Sequence, residues 1–360
     1  MGQIILSVPG TFRYQHGAHD NDHPFGCPET VRFDLKPQFR LDVPTYLCCF
    51  THMIKLLILG AGTAVPTPLR NAAAYWVEID GHGILLDPGP GALIRLMGSV
   101  HGPNDIDAID TILLSHLHID HCSDLAPLLF ALHSPIPRSS EPLQLLGPPG
   151  SASYLVKLHD LYGSWVEPAK RELVVQELCP GQHLTWDAVR SSAWSPIHPA
   201  EQEYRTGQDH PANPDLPTAP RHRSETSSIE VFAANHPQDR FSEVCLCFRF
   251  RDRANHTVTY SGDTEPAEGL EEASRAVDLL VVECSTPDEM ATPGHMTPSR
   301  VGELCAASKP SRVVLTHLYP PAAALDLCQL IGQWYAGPVI VACDGDFFTV
   351  PETMSDPEDS

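Results

Sequence analysis

Along most of the chain, short unbroken apolar runs alternate with polar stretches marked by Gly, Pro or Asp, a rhythm that suits buried strands better than long helices. The run IKLLILG after Met53 predicts a buried strand that enters a Gly-rich turn, GAGTAVP. Residues 72–80 and 84–87 predict a hairpin turning at Gly81-His82-Gly83. Further strands are predicted at 111–115, 142–147, 172–178 and 229–234, then at 244–250, 256–262, 278–284, 312–317 and 338–342. Between them, helical spacing of apolar positions predicts helices near 91–98, 123–132, 151–162, 266–276, 298–307 and 321–334. Two strand-rich halves with helices interleaved predict an α/β fold of two mixed sheets packed face to face and flanked by helices, an αββα sandwich. No fixed-period repeat is present.

Three segments break this rhythm. Residues 1–52 carry Pro, His and charges with no sustained period, and read as an appended extension or flexible arm; a folded N-terminal layer is the alternative. Residues 195–228 form a Pro- and His-rich loop with Pro211, Pro214, Pro217 and Pro220. Residues 351–360 form an acidic tail, which leaves a domain of about 53–350.

Composition narrows the picture. At 360 residues and 42% apolar the chain can bury a full core. It has no apolar run of membrane-spanning length, and its first residues lack the charged and apolar regions of a signal peptide. The 11 cysteines are scattered and form no CxxC pair, which fits reduced thiols in a cytoplasm better than a disulfide framework. The net charge of −22 argues against a large, uniformly basic nucleic-acid-binding face, leaving room for a local basic patch, and against docking on an anionic membrane.

The candidate chemistry lies in Ser115-His116-Leu117-His118-Ile119-Asp120-His121, directly after a predicted strand. His116 and His118, two apart, project the same way from extended backbone. Asp120 and His121 then fall where a helix begins. Three imidazoles and a carboxylate in one turn suit zinc, with manganese or iron as alternatives. These groups begin two metal sites and cannot complete them. Three further candidates each follow an apolar run: His236 in AANHPQ, Asp263 in YSGDT and His317 in LTHLYP.

That order of motifs resembles the metallo-β-lactamase superfamily, and within it the ribonuclease Z branch, which trims tRNA 3′ ends. The resemblance is carried by LGAGTAVPTPLRN (59–71), LLDPGPG (85–91), LLSHLHIDH (113–121), TYSGDTEP (259–266), VVECST (281–286), GHMT (294–297), VVLTHLYP (313–320) and ACDG (342–345). It implies that His116, His118 and His236 bind one Zn2+, that Asp120, His121 and His317 bind a second, and that Asp263 bridges them. It also implies that Asp120 orients the bridging water, that His295 assists near the scissile phosphate, and that Glu283 orients His295. Asp87 is expected to tie loops near the metals. Gly60, Gly62, Gly89 and Gly91 are expected to allow tight turns under the site. Two zinc ions about 3.5–4 Å apart clamp attacking and leaving oxygens and lower the pKa of a bound water to about 7, so a metal-bound hydroxide attacks a phosphodiester. The expected protein is cytoplasmic, and the resemblance implies a homodimer acting on precursor tRNA or a related phosphodiester.

Two other classes stay open. Short ribonuclease Z enzymes carry a Gly-rich basic arm, whereas residues 195–228 set Arg205, Arg221 and Arg223 against Glu201, Glu203, Asp209, Asp215 and Glu225. That balance favours a small-molecule hydrolase on the same scaffold, of arylsulfatase, cyclic phosphodiesterase or lactonase type. A non-catalytic metal-binding protein is the third class. Cys48-Cys49, Cys245 and Cys247 read as thiols outside the site, and Cys122 as helix packing. Trp165, Trp186 and Trp194 read as core or loop packing before pocket walls.

Overall fold

The structure, a computed structural model, describes residues 4–7, 11–14, 53–186, 226–237 and 244–352. Most of the expected extension, loop 195–228 as far as residue 225, Trp194, Cys48-Cys49 and the tail beyond residue 352 lie outside them. The chain divides into Met1–Cys49 and Phe50–Ser360. In the first unit, β1 (Ile4–Ser7) pairs antiparallel with β2 (Thr11–Tyr14).

The second unit opens with β3 (Ile54–Gly60), β4 (Ala74–Ile79) and β5 (His82–Leu86), followed by α1 (Ala92–Gly98) and β6 (Thr111–Leu113). Then come α2 (Ile119–Cys122), α3 (Leu125–His133), β7 (Leu143–Gly147), α4 (Ser151–Tyr162) and β8 (Leu173–Glu177). The chain continues through β9 (His183–Thr185), β10 (Ser228–Ala234), β11 (Cys245–Arg251) and β12 (Thr257–Tyr260). It then alternates α5 (Glu268–Ser274), β13 (Leu279–Glu283), α6 (Pro298–Ser308) and β14 (Val313–Thr316). Last are α7 (Pro320–Ala323), α8 (Leu327–Ile331), β15 (Val339–Val341) and β16 (Phe347–Val350).

The strands form two seven-stranded sheets, ordered β16-β3-β4-β5-β6-β7-β8 and β15-β14-β13-β12-β11-β10-β9. Each is mixed: β5 to β8 and β12 to β15 pair in parallel, and the remaining pairs are antiparallel. Alternation along β3 shows how the layers arise. Ile54, Leu56 and Ile58 join Tyr75, Val77, Phe248, Phe250, Val281 and Val314 between the sheets. Leu57 and Leu59 face outward and pack with Leu96, Leu125, Leu128 and Leu129 from α1 and α3. Leu280, Val282 and Leu315 on the second sheet meet Val301 and Leu304 of α6. Apolar faces on both sides of both sheets require helices outside, and the αββα sandwich follows. Among the described residues no helix is long and apolar enough to cross a membrane.

Several local expectations change. The first hairpin turns at Asp80-Gly81, both at positive φ (48° and 84°), so His82 already belongs to β5. The helix expected at 321–334 is two short pieces, because the Asp326 side chain caps α8 by accepting from Gln329 N. β9 and β16 had no sequence signal, and β16 carries the end of the chain back to the first sheet. Gly60, Gly62 and Gly89 serve close approach in place of tight turning: a Cβ on Gly89 would collide with the Asp120 carbonyl. Only Gly91 of the four needs positive φ, at 79°.

Candidate metal centre

β10, β12, β13 and β14 run in one direction and end on one edge of the second sheet. His236, Asp263, Glu283 and His317 lie at or just past those ends. β5 and β6, parallel in the first sheet, end at Asp87 and the His116–His121 turn. His118 is the N-cap of α2, so Asp120 and His121 sit in its single turn. Ligand sites in α/β sheets gather outside the carboxyl ends of strands, and here two sheets share one such edge.

All seven candidate ligands meet there. His118 Nδ1 lies 3.1 Å from His116 Nε2 and 3.1 Å from His236 Nε2. A second group joins His121, His317 and Asp120: His317 Nε2 is 3.3 Å from His121 Nε2 and 3.5 Å from Asp120 Oδ2. Asp263 Oδ2 lies between the groups, 3.4 Å from His121 Nε2, 3.3 Å from His317 Nε2, 3.8 Å from His116 Nε2 and 4.0 Å from His236 Nε2.

The far side of each ring explains its orientation. His121 Nδ1 donates to Asp87 Oδ2 at 2.9 Å. Asp87 also accepts from Ser115 N at 2.7 Å, from the Ser115 hydroxyl at 2.5 Å, and from the Tyr260 hydroxyl across the sheets at 2.7 Å. With its proton committed to Asp87, Ser115 Oγ can only accept from His116 Nδ1, 2.9 Å away. His236 Nδ1 donates to Gly294 O at 2.8 Å. In the neutral, metal-ready form of His116, His121 and His236, Nε2 is therefore the nitrogen left with a lone pair, aimed into the cluster. Asp87 takes the loop-tying place that sequence implied.

The donors fit metal ions. Ligands about 2.0–2.1 Å from a tetrahedral zinc stand about 3.3 Å apart, close to the spacings within each group. Bare lone pairs facing one another lack a positive partner. Asp263 Oδ1, buried, finds no hydrogen-bond donor among the described residues. Burial, together with the charge of His121, drives His116 well below the usual imidazole range. At His121 burial works downward, yet Asp263 and Asp87 raise it well above that range. Burial works upward on Asp120, but the neighbouring His317 and His121 rings hold it down to about 2, so it is ionised at neutral pH.

His295 stands beside the cluster, its ring 4.9 Å from that of His236 and 5.7 Å from that of His317. Its Nδ1 lies 3.1 Å from Glu283 Oε2. Burial lowers its pKa, but the Glu283 hydrogen bond and charge outweigh that and raise it to about 8. Glu283 is also fastened by Thr264 N. Sequence reasoning missed Tyr260, although it stands three positions before Asp263. It missed Tyr319 as well, half-buried, bonded to Thr63 and 6.2 Å from the His317 ring. Cys122 packs at the base of α2 with its thiol near Leu117 O, and Cys245 and Cys247 are buried on β11. Trp186 is in the core and 2% exposed, whereas Trp165 is exposed against Phe130 and His133.

A family model described as a beta-lactamase superfamily domain matches residues 82–318. A protein named ribonuclease Z from Methanosarcina acetivorans is 28% identical over 281 residues, covering 74% of this chain and 88% of the relative. Another of that name from Pyrococcus horikoshii is 27% identical over 279 residues, covering 74% and 87%. Among solved structures, the metallo-β-lactamase fold protein YhfI from Bacillus subtilis matches with TM-score 0.60 at 22% identity, over 82% of this chain and 99% of that one. The short form of human tRNase Z matches with TM-score 0.56 at 23% identity, over 82% and 98%.

Proposed function

The chain belongs to the metallo-β-lactamase superfamily, and from that premise we propose that it is a ribonuclease Z-type hydrolase that holds two divalent cations, zinc by preference, and cuts the 3′ trailer from precursor tRNA. The carrying observation is the pair of donor groups, His116-His118-His236 and Asp120-His121-His317, that share Asp263 Oδ2. When bound, paired divalent ions supply Lewis-acid stabilisation of phosphoryl charge and a water acidic enough to attack at neutral pH. The chain's own groups do the rest. Asp120, ionised, orients that water and accepts from it. His295, protonated through Glu283, stands beside the same cluster and gives its proton to the departing ribose oxygen. Asp87, Ser115 and Gly294 O keep the ligand rings aimed inward.

The ribonuclease Z relatives point to tRNA as the substrate. We extend the reading to a homodimer at work in the cytoplasm, whose mass light scattering would report, and to residues 1–52 as an appendage to a domain of 53–350. The net charge of −22 favours a second reading, a small-diester hydrolase on the same scaffold. The test incubates zinc-loaded protein, beside an Asp120→Ala control, with a precursor tRNA bearing a 3′ trailer. A cut after the discriminator base in wild type alone supports the first reading. Hydrolysis of a chromogenic diester with the tRNA left whole supports the second. Activity on neither substrate sinks both.

A further inference from the structure

Ser285 follows β13 and is fully buried. Its hydroxyl contacts Glu283 Oε2 directly, lies 2.9 Å from His317 Nδ1 and 3.0 Å from the His317 carbonyl. Its amide donates to Met296 O at 3.1 Å, inside the loop that carries His295, and its carbonyl accepts from Tyr319 N at 3.1 Å. One residue thus touches Glu283 and the His317 turn through its hydroxyl and the His295 loop through its amide.

A serine has a single hydroxyl proton, which decides the direction of every bond in this knot. Glu283, as a carboxylate, only accepts. The His317 carbonyl also only accepts, and the Ser285 proton goes to the nearer Glu283 Oε2; with either acceptor Oγ presents only lone pairs to His317 Nδ1. Nδ1 must then carry the ring's proton, and Nε2 is bare. That nitrogen is the one 3.3 Å from His121 Nε2 and 3.3 Å from Asp263 Oδ2. His317 also holds a left-handed backbone, φ 52°, which a non-glycine residue keeps only when its surroundings enforce it.

We infer that Ser285 is a positioning residue that joins the His295–Glu283 proton donor to the ligand His317, fixing His317 with its proton on Nδ1 and its Nε2 toward the cation. The inference rests on the two-cation reading. It makes the acid and the metal side of the site one hydrogen-bonded unit: His295 to Glu283, Glu283 to Ser285, Ser285 to His317.

The test uses the full chain with zinc alone as probe. Equilibrium dialysis followed by metal analysis is run on wild type, Ser285→Ala and Ser285→Thr. Wild type and Ser285→Thr are expected to hold two zinc ions. Ser285→Ala is expected to bind the second about 10- to 100-fold more weakly, the usual effect of removing a partner behind a ligating histidine. In parallel, 15N-histidine spectra of the zinc-loaded wild type should show an exchange-protected Nδ1 proton for His317, identified by its loss in His317→Gln. Equal zinc affinity in wild type and Ser285→Ala overturns the inference and leaves the two-cation reading intact. So does a threonine variant as weak as the alanine one, since packing and not the hydroxyl would then matter. Zinc-free wild type overturns both. If Ser285→Ala does not fold, the spectrum decides, and a missing protected Nδ1 proton rejects the inference.

Discussion

Asp87 and His317 are both non-glycine residues at positive φ, 46° and 52°, and both stand at strand ends beside the ligand cluster. Such conformations cost about 1–3 kcal/mol each and persist where bonds on every side enforce them. For Asp87 those bonds include one from Tyr260 on the opposite sheet. Tyr260→Phe is expected to lower stability by about 1–2 kcal/mol in urea unfolding, with Tm falling in step. His295→Ala is expected to lower kcat by about 10²- to 10⁴-fold on a substrate with a poor leaving group, and by far less on a nitrophenyl diester, whose leaving group needs no proton. Equal losses on the two substrates would argue against proton donation. At this scale the i, i+2 spacing of His116 and His118 is legible in the sequence because strand geometry alone aims both rings. Tyr260 is not legible, since its partner Asp87 lies at the end of a strand in the other sheet, and Ser285 is not, since its link to His317 crosses to the turn after β14.

At the scale of elements, apolar runs marked β3, β7 and β12 to β14 because strands buried on both faces read as continuous apolar stretches. β9 and β16 escaped because a three-residue strand and a half-buried one give too little pattern. The β10–β11 pair also carries a cross-strand cluster: Glu230 faces Arg249 and accepts from it at 2.7 Å, and from Arg251 at 3.1 Å. Burial pushes the Glu230 pKa up, but the two guanidiniums outweigh it and hold the carboxyl below its usual range. A folded-state pKa below the unfolded one adds stability above the unfolded pKa, and that stability is lost as pH falls through the folded value. Glu230→Gln should therefore cost about 1–2 kcal/mol at pH 7. The difference between variant and wild type should close in urea unfolding as the pH falls below about 4.

For the whole molecule, sequence suggested one sheet per half, and the structure departs from that by sending β16 back beside β3. The return is anchored by Asp344, whose carboxylate accepts from Ala61 N at 2.9 Å and from Asn71 N and Nδ2 at 2.9 and 2.7 Å. A chain cut after Ala342 loses both that anchor and an edge strand. It is expected to lack a cooperative thermal transition by circular dichroism, although every candidate ligand is retained. The candidate ligands themselves divide between the sheets: His116, His118, Asp120 and His121 come from the first, His236, Asp263 and His317 from the second. Ions bound there would act as rivets across the seam, restraining local opening on both sides at once. Stripping them with a chelator should quicken amide exchange in the turns after β6 and after β14 by the same factor, so that two stretches of chain some two hundred residues apart loosen together.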